Sequence, residues 1–300
     1  KNYQWANYTQ RNYNEYELLT WTDAWVSRLF RVNGKCRFTG RVHEFIHPVE
    51  GMPKNTGGIV GHTGYIFDSE EERLAHFHRN MDIIEQLRKE EPREVRWVFQ
   101  SIQEYDSLDE FDKEKVACRE GLRMMEGATG YLNSCIRGIF AADLLKLLSN
   151  ERAWKQCMSE YDRLTRSKNP LGKVSRAYMD FVAAKAADEL GMKKRSAKAC
   201  RGYLDAYDRL HDTPSEWAED YIFILMETFN QDKYAFVVAL YLGHLVEQGD
   251  WKTAEKYMDR LRLDEQFPYS VSAYVKDLLE KALVMEYDAA FTKLDRKSVV

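Results

Sequence analysis

The 300-residue chain carries 44 Lys and Arg against 48 Asp and Glu, a formal net charge of −4. This balance argues against a broad basic surface for nucleic acid and against a polybasic membrane patch. The sequence contains no apolar run of the roughly 18–20 residues that span a bilayer. Hydrophobic residues make up 44%, enough for a packed core, and the length predicts about two domains.

The five cysteines are scattered along the chain and form no Cys-x-x-Cys pair. This usage indicates reduced thiols, and no signal-peptide pattern opens the sequence, so we expect a cytoplasmic protein. The chain begins with Lys1 rather than Met, and we therefore expect it to be a piece of a longer polypeptide.

Short strands and loops are predicted for residues 1–67, which contain seven of the 16 glycines. Extended segments are expected over 26–32, 36–42 and 59–62, with Asn33-Gly34 as a hairpin turn between the first two. Three or four strands in so short a segment can hardly bury a sheet. Either the helices that follow cover this sheet, or further strands complete it.

Helices are predicted from residue 68 onward. Ser69 and Glu72 have the spacing of a capping box, in which each side chain satisfies a free backbone N–H. Apolar residues then recur at three- and four-residue steps from Leu74 to Leu87, and Pro92 ends the helix.

Two-helix units follow, at about 94–125, 174–211 and 233–263. The last resembles a tetratricopeptide repeat, because its second helix opens with Gly249-Asp250-Trp251 and places the small Ala254 three positions on. Such units must stack to bury their apolar faces. We therefore predict a mainly α fold with a small β-rich N-terminal segment (1–67) and a tetratricopeptide-like α-α superhelical array (68–300).

Residues 43–47 read His-Glu-Phe-Ile-His, the H-E-x-x-H pattern of zinc peptidases. That chemistry needs a continuous helix, so that both histidines bind zinc from one face. Gly40 and Pro48 flank the segment and argue against such a helix. A third zinc ligand would also be required, from His62 or the run of glutamates at 70–72.

Four short motifs stand in order over roughly residues 27–105, a quarter of the chain: Arg-Leu-Phe-Arg (28–31), Gly-Arg-Val-His-Glu (40–44), His-Thr-Gly-Tyr (62–65) and Arg-Asn (79–80). Together they resemble the end of the catalytic domain in family 2 glycosyltransferases of the GT-A fold. The resemblance is to the bacterial subgroup that carries a tetratricopeptide-like C-terminal extension.

This resemblance implies transfer of a sugar from a nucleotide-diphosphate donor to a saccharide or peptide acceptor. An inverting transfer needs a carboxylate that deprotonates the acceptor, and Glu44 matches that position. The leaving diphosphate needs positive charge from basic side chains and a divalent metal, Mg²⁺ or Mn²⁺, in the complete enzyme.

The resemblance implies further roles for the residues around Glu44. His62 is the candidate metal or diphosphate contact. Tyr65 and Trp21 are candidates for the acceptor side. The candidates for holding the diphosphate or the local loop are Arg28, Arg31, Arg41 and His43.

The sequence departs from this family in one respect: it contains no Asp-x-Asp, the metal-binding motif that ends the nucleotide-binding half. We therefore expect the C-terminal portion of a longer glycosyltransferase, inactive by itself, whose helical array binds the acceptor, a protein partner or a second copy. A helical-repeat interaction module without catalysis is the alternative, and a zinc peptidase is less favoured.

Overall fold

The computed structural model describes residues 5–13, 15–32, 34–48, 54–211, 228–258 and 260. The described chain is mainly helical, with a small N-terminal sheet followed by a helical array, which confirms the predicted fold class. Its two compact units are Lys1–Met124 and Met125–Val300. Strands give way to helices near residue 68, as expected, but the first three helices belong to the same unit as the strands.

Five strands are described in the first unit: β1 (Trp5–Tyr13), β2 (Trp21–Phe30), β3 (Arg37–Thr39), β4 (Phe45–His47) and β5 (Lys54–His62). One sheet has the order β2-β1-β5, with β1 antiparallel to β2 and parallel to β5. The other is the antiparallel pair β3-β4. Strand β2 begins earlier than predicted and β3 is shorter, while Asn33 of the predicted turn lies outside the described residues.

The three-stranded sheet buries little of its surface, as its size led us to expect. Almost the whole of β5 is exposed. Large apolar side chains of the sheet, Trp21, Trp25 and Ile59, are 46%, 46% and 58% exposed.

Three helices complete the first unit: α1 (Glu70–Glu90), α2 (Val95–Ser107) and α3 (Phe111–Met124). Helix α1 begins at the predicted cap, where the Ser69 hydroxyl accepts the Glu72 N–H at 3.1 Å. The Glu72 carboxylate reaches back to the N–H of Asp68 at 3.0 Å rather than to that of Ser69. A core forms between α1 and α2 from the buried residues Met81, Ile84, Leu87, Trp97, Val98 and Ile102.

Six helices are described in the second unit: α4 (Tyr131–Asn150), α5 (Trp154–Arg166), α6 (Lys173–Glu189), α7 (Lys193–Leu210), α8 (Gln231–Glu247) and α9 (Trp251–Met258). Each packs on the next described helix or the next but one. The predicted break at Leu190-Gly191 separates α6 from α7. The end of the predicted 233–263 unit lies outside the described residues.

The turn between α8 and α9 has the geometry that its glycine predicts. Gly249 has φ +69°, in the left-handed region that L side chains resist. Its N–H donates to Val246 O at 3.0 Å, and the N–H of Asp250 donates to Leu245 O at 2.9 Å. The Asp250 carboxylate then accepts the Thr253 N–H at 3.2 Å and caps α9.

We predict that Gly249→Val destabilises the second unit by about 1–2 kcal/mol, because a β-branched residue resists positive φ. Gly249→Asn is the matched control and should cost less, since asparagine tolerates this region. Thermal unfolding of both variants measures the difference. Equal melting temperatures for wild type and Gly249→Val would contradict this account of the turn.

Candidate functional site

Two of the four motifs meet at a buried carboxylate in the first unit. Glu104 on α2 is 2% exposed. Its Oε1 lies 2.8 Å from Nε2 of His43 and accepts the Nδ2 amide of Asn80 at 3.3 Å. Asn80 belongs to the Arg-Asn pair on α1, and His43 precedes β4. A single oxygen therefore links the 40–44 loop to two helices.

Further contacts hold the 40–44 loop. Nη1 of Arg28, on β2, donates to the carbonyl oxygen of Glu44 at 2.6 Å. Arg41 forms a salt bridge with Glu90 at the end of α1. His43 has φ +48°, a left-handed conformation that costs about 1–2 kcal/mol for a residue with a Cβ. Side-chain contacts to the loop offset this strain.

Helix α2 also holds the residue that follows Glu44. The Arg96 guanidinium lies 3.6 Å from the centroid of the Phe45 ring, a cation–π contact. Arg96 is partly buried, and burial lowers its pKa, although the charges of Glu94 and Glu91 oppose that effect. Both sequence neighbours of Glu44 thus contact the same helix.

The Glu44 carboxylate differs from the neighbouring loop residues in its contacts. Glu44 is exposed, and its side chain has no hydrogen-bond or ion-pair partner among the described residues. The backbone of the loop is held while this carboxylate faces solvent. A carboxylate in that state is able to accept a proton from an incoming ligand.

His62 and Tyr65 pack on each other where β5 ends. Their rings form an edge-to-face pair with centroids 5.2 Å apart. A Cβ on Gly64 would lie 2.8 Å from Cε1 and Nε2 of His62, so any other residue here would displace the His62 ring. Nδ1 of His62 is buried and finds no hydrogen-bond partner in the described part of the chain.

The pKa of Tyr65 connects this pair to the Glu104 cluster. Burial raises the pKa of the Tyr65 hydroxyl, the charge of Glu104 raises it further, and Arg28 opposes the rise. The pKa of Tyr65 therefore depends on the charges of both Glu104 and Arg28. Residues of three motifs thus meet in direct contacts, and the pKa of Tyr65, from the fourth, responds to the charges of Glu104 and Arg28.

Trp21 does not join this region. It pairs in register with Tyr13, and the Arg11 guanidinium lies 4.6 Å from the centroid of its ring. His62 pairs instead with Asn12 on β1. Successive residues of a strand point to opposite faces, so Trp21 and His62 lie on opposite faces of the sheet.

The structure also places Arg31, the last of the predicted site residues, and Asp23, a carboxylate on β2. Arg31 is exposed, one residue beyond the end of β2. Asp23 accepts two hydrogen bonds from Arg11, both at 2.9 Å, and these hold the pKa of Asp23 below its usual range.

The H-E-x-x-H pattern does not form a zinc-binding helix. Residues Phe45–His47 are strand β4, so His43 and His47 do not share one face of a helix. Within the described ranges, no three His, Cys, Asp or Glu side chains are grouped so as to hold a metal ion. The described residues thus do not make a complete divalent-metal site, and His62 supplies at most one ligand.

Glu104 is the buried residue of the candidate site that sequence reasoning missed. It lies seven residues after Trp97 and three after Ser101, both buried on α2. At 3.6 residues per turn, this spacing places Glu104 on the buried face of the helix. A charged residue within an apolar stripe was the signal that pointed to it.

The second unit contains a Ser–His–Asp set whose geometry differs from that of a nucleophilic triad. Nε2 of His244 lies 2.8 Å from the Ser196 hydroxyl and 3.8 Å from Oδ1 of Asp188. In a nucleophilic triad, serine and aspartate contact different ring nitrogens. Ser196 is also fully buried and donates to the carbonyl oxygen of Ala184 at 2.8 Å, so we read this set as part of the packing.

No family model and no curated protein matches the sequence. Among solved structures, the chain is similar to BtubC (BKLC) from P. vanneervenii, at 13% identity and a TM-score of 0.39. The match covers 70% of this chain and 93% of that one. A likeness at this level carries no argument about function.

We predict that Glu104→Gln moves the pKa of Tyr65 toward its ordinary value, because the neighbouring negative charge is lost. Arg28→Gln should move it further up, since a positive charge is removed. A pH titration followed by carbon NMR of ring-labelled tyrosine, assigned with Tyr65→Phe, measures both shifts. Opposite signs are expected, and shifts of the same sign would contradict the arrangement.

The raised pKa also has a consequence for stability. The folded chain holds the Tyr65 proton more tightly than the unfolded chain does. The contribution of Tyr65 to stability is therefore present below the unfolded pKa of about 10 and is lost as the pH rises through the folded pKa.

Proposed function

We propose that this chain is the acceptor-side, C-terminal region of a family 2 glycosyltransferase, which transfers a sugar from a nucleotide-diphosphate donor to an acceptor. One observation supports this most directly. His43 and Asn80, from two of the motifs that carry the resemblance, both contact Oε1 of Glu104, and Arg28, from a third, donates to the carbonyl oxygen of Glu44.

In this proposal Glu44 removes the proton from the acceptor nucleophile. Its carboxylate faces solvent, while Arg28 holds its carbonyl oxygen and the residues on either side contact α2. A base held in this way loses little freedom when the acceptor binds. The contacts of Arg28, Arg41 and His43 favour a role in holding the loop over a role in binding the diphosphate.

The donor side belongs to the rest of the enzyme in this proposal. The nucleotide-sugar and its divalent metal would bind mainly residues outside this chain, which lacks Asp-x-Asp, with His62 as the candidate contact that this chain contributes. The chain alone is then inactive, and the helical array binds the acceptor, a protein partner or a second copy.

A cytoplasmic location is part of the same proposal. The five cysteines form no disulfide in the structure, which is the usual state in a reducing compartment. Among the described residues, no helix combines the length and the apolar character that a bilayer-crossing segment needs.

The mass of the native protein and its activity toward nucleotide-sugars test the proposal together. We expect a mass well above the 35.3 kDa of this chain, an upstream segment with Asp-x-Asp, and release of nucleoside diphosphate when acceptor is present. A native protein of 35.3 kDa that consumes no nucleotide-sugar would overturn the proposal and favour the interaction module.

We predict that Glu44→Gln in the native-length enzyme lowers kcat by about 10²–10⁴-fold, the usual contribution of a general base. The fold should be unchanged, because the Glu44 side chain is exposed and has no hydrogen-bond or ion-pair partner among the described residues. Glu71→Gln, an exposed glutamate in the first turn of α1, is the matched control. Wild-type turnover by Glu44→Gln would remove Glu44 from the mechanism.

A further inference from the structure

We propose that Glu104 is a positioning residue for the 40–44 loop, and that it sets the Cα–Cβ direction of Glu44 through His43. This rests on the function proposed above. Glu104 contacts neither Glu44 nor any group that reacts. Its effect passes through one hydrogen bond to the residue next to Glu44.

The first argument is the geometry of the hydrogen bonds. Oε1 of Glu104 lies 2.8 Å from Nε2 of His43 and accepts a hydrogen bond from the Asn80 amide at 3.3 Å. A carboxylate only accepts hydrogen bonds, so Nε2 of His43 carries the hydrogen. This fixes the tautomer of the ring. Asn80 holds the carboxylate in turn, so the imidazole cannot rotate without breaking this bond.

The second argument is the position of Glu44 between two residues that α2 holds. Glu104 holds His43 on one side, and Arg96 stacks on Phe45 on the other. Arg28 fixes the carbonyl oxygen between them at 2.6 Å. With both neighbours fixed, the Cα–Cβ direction of Glu44 is fixed as well.

The third argument is that packing does not explain a carboxylate at this position. Oε2 of Glu104 is buried and finds no hydrogen-bond partner among the described residues. Leaving a buried acceptor unsatisfied costs free energy, which an apolar side chain on the same helix face would avoid. Residues that break a local rule in this way concentrate at functional sites.

The fourth argument is the conformation of the loop. His43 has φ +48°, which is unfavourable for a residue with a Cβ. A free loop would relax into a commoner conformation. The hydrogen bond to Glu104 is the contact of the His43 side chain that opposes this relaxation.

The first test uses this chain itself and needs no activity. Nitrogen NMR of the imidazoles reports the tautomer of His43, and amide hydrogen exchange reports the protection of residues 40–44. For Glu104→Ala we expect the nitrogen shift of His43 Nε2 to lose its hydrogen-bond signature and the loop amides to exchange faster, on the order of tenfold. Glu104→Gln keeps an acceptor oxygen and should restore most of the protection.

The matched control is Glu114→Gln, which changes another buried glutamate of the unit, on α3. It should leave the His43 tautomer and the loop amides as in wild type. Should Glu104→Ala fail to fold, His43→Ala, at a half-exposed position, should loosen the same amides. Wild-type exchange in folded Glu104→Ala or His43→Ala, or equal loosening by Glu114→Gln, would overturn the proposal.

The second test uses the native-length enzyme. Glu104→Ala should lower kcat by at least tenfold and leave the KM for the nucleotide-sugar unchanged, because Glu104 does not touch the donor. A loosened loop with wild-type kcat would overturn the positioning role. If the native protein transfers no sugar at all, the proposed function fails, and the NMR and exchange results separately decide whether Glu104 holds the loop.

Discussion

The arrangement of the first unit depends on one buried carboxylate. A charge taken out of water is tolerated only where donors replace the solvent, and Glu104 finds them in His43 and Asn80. These donors come from the loop before β4 and from α1. The hydrogen bonds from these two donors therefore fix where the loop lies against α1 and α2. They also fix the position of the Glu44 backbone.

The parts of the fold that were predictable from sequence are those with local causes. The cap at Ser69 and the turn at Gly249 each involve residues within one or two helical turns, and both formed as expected. Strand β1 was not predicted, because its polar residues hide the alternation that indicates a strand. Its pairing with β2 and β5 is a long-range effect that no short window of sequence contains.

The distinction between local causes and long-range contacts applies to the candidate site as well. The four motifs identified the loop, His62 and Tyr65, but their order along the chain does not say which face of a sheet a side chain occupies. A shift of one residue moves a side chain to the other face. Trp21 and His62 thus lie on opposite faces although both belong to the same small sheet. The contact of His43 with Glu104 joins residues too distant in sequence for periodicity to pair them.

The two leading functions make different demands on this unit. A binding module needs a stable cap for its array, and an apolar residue in place of Glu104 together with a relaxed loop would provide one more cheaply. Strain at His43 and an unsatisfied Glu104 oxygen lower the stability of such a cap without benefit to it. In the proposed transferase, the same contacts hold the backbone of Glu44 while its carboxylate faces solvent, where an acceptor has access to it. The unfavourable conformation of His43 and the unsatisfied oxygen of Glu104 are therefore the two costs that the proposed positioning role accounts for.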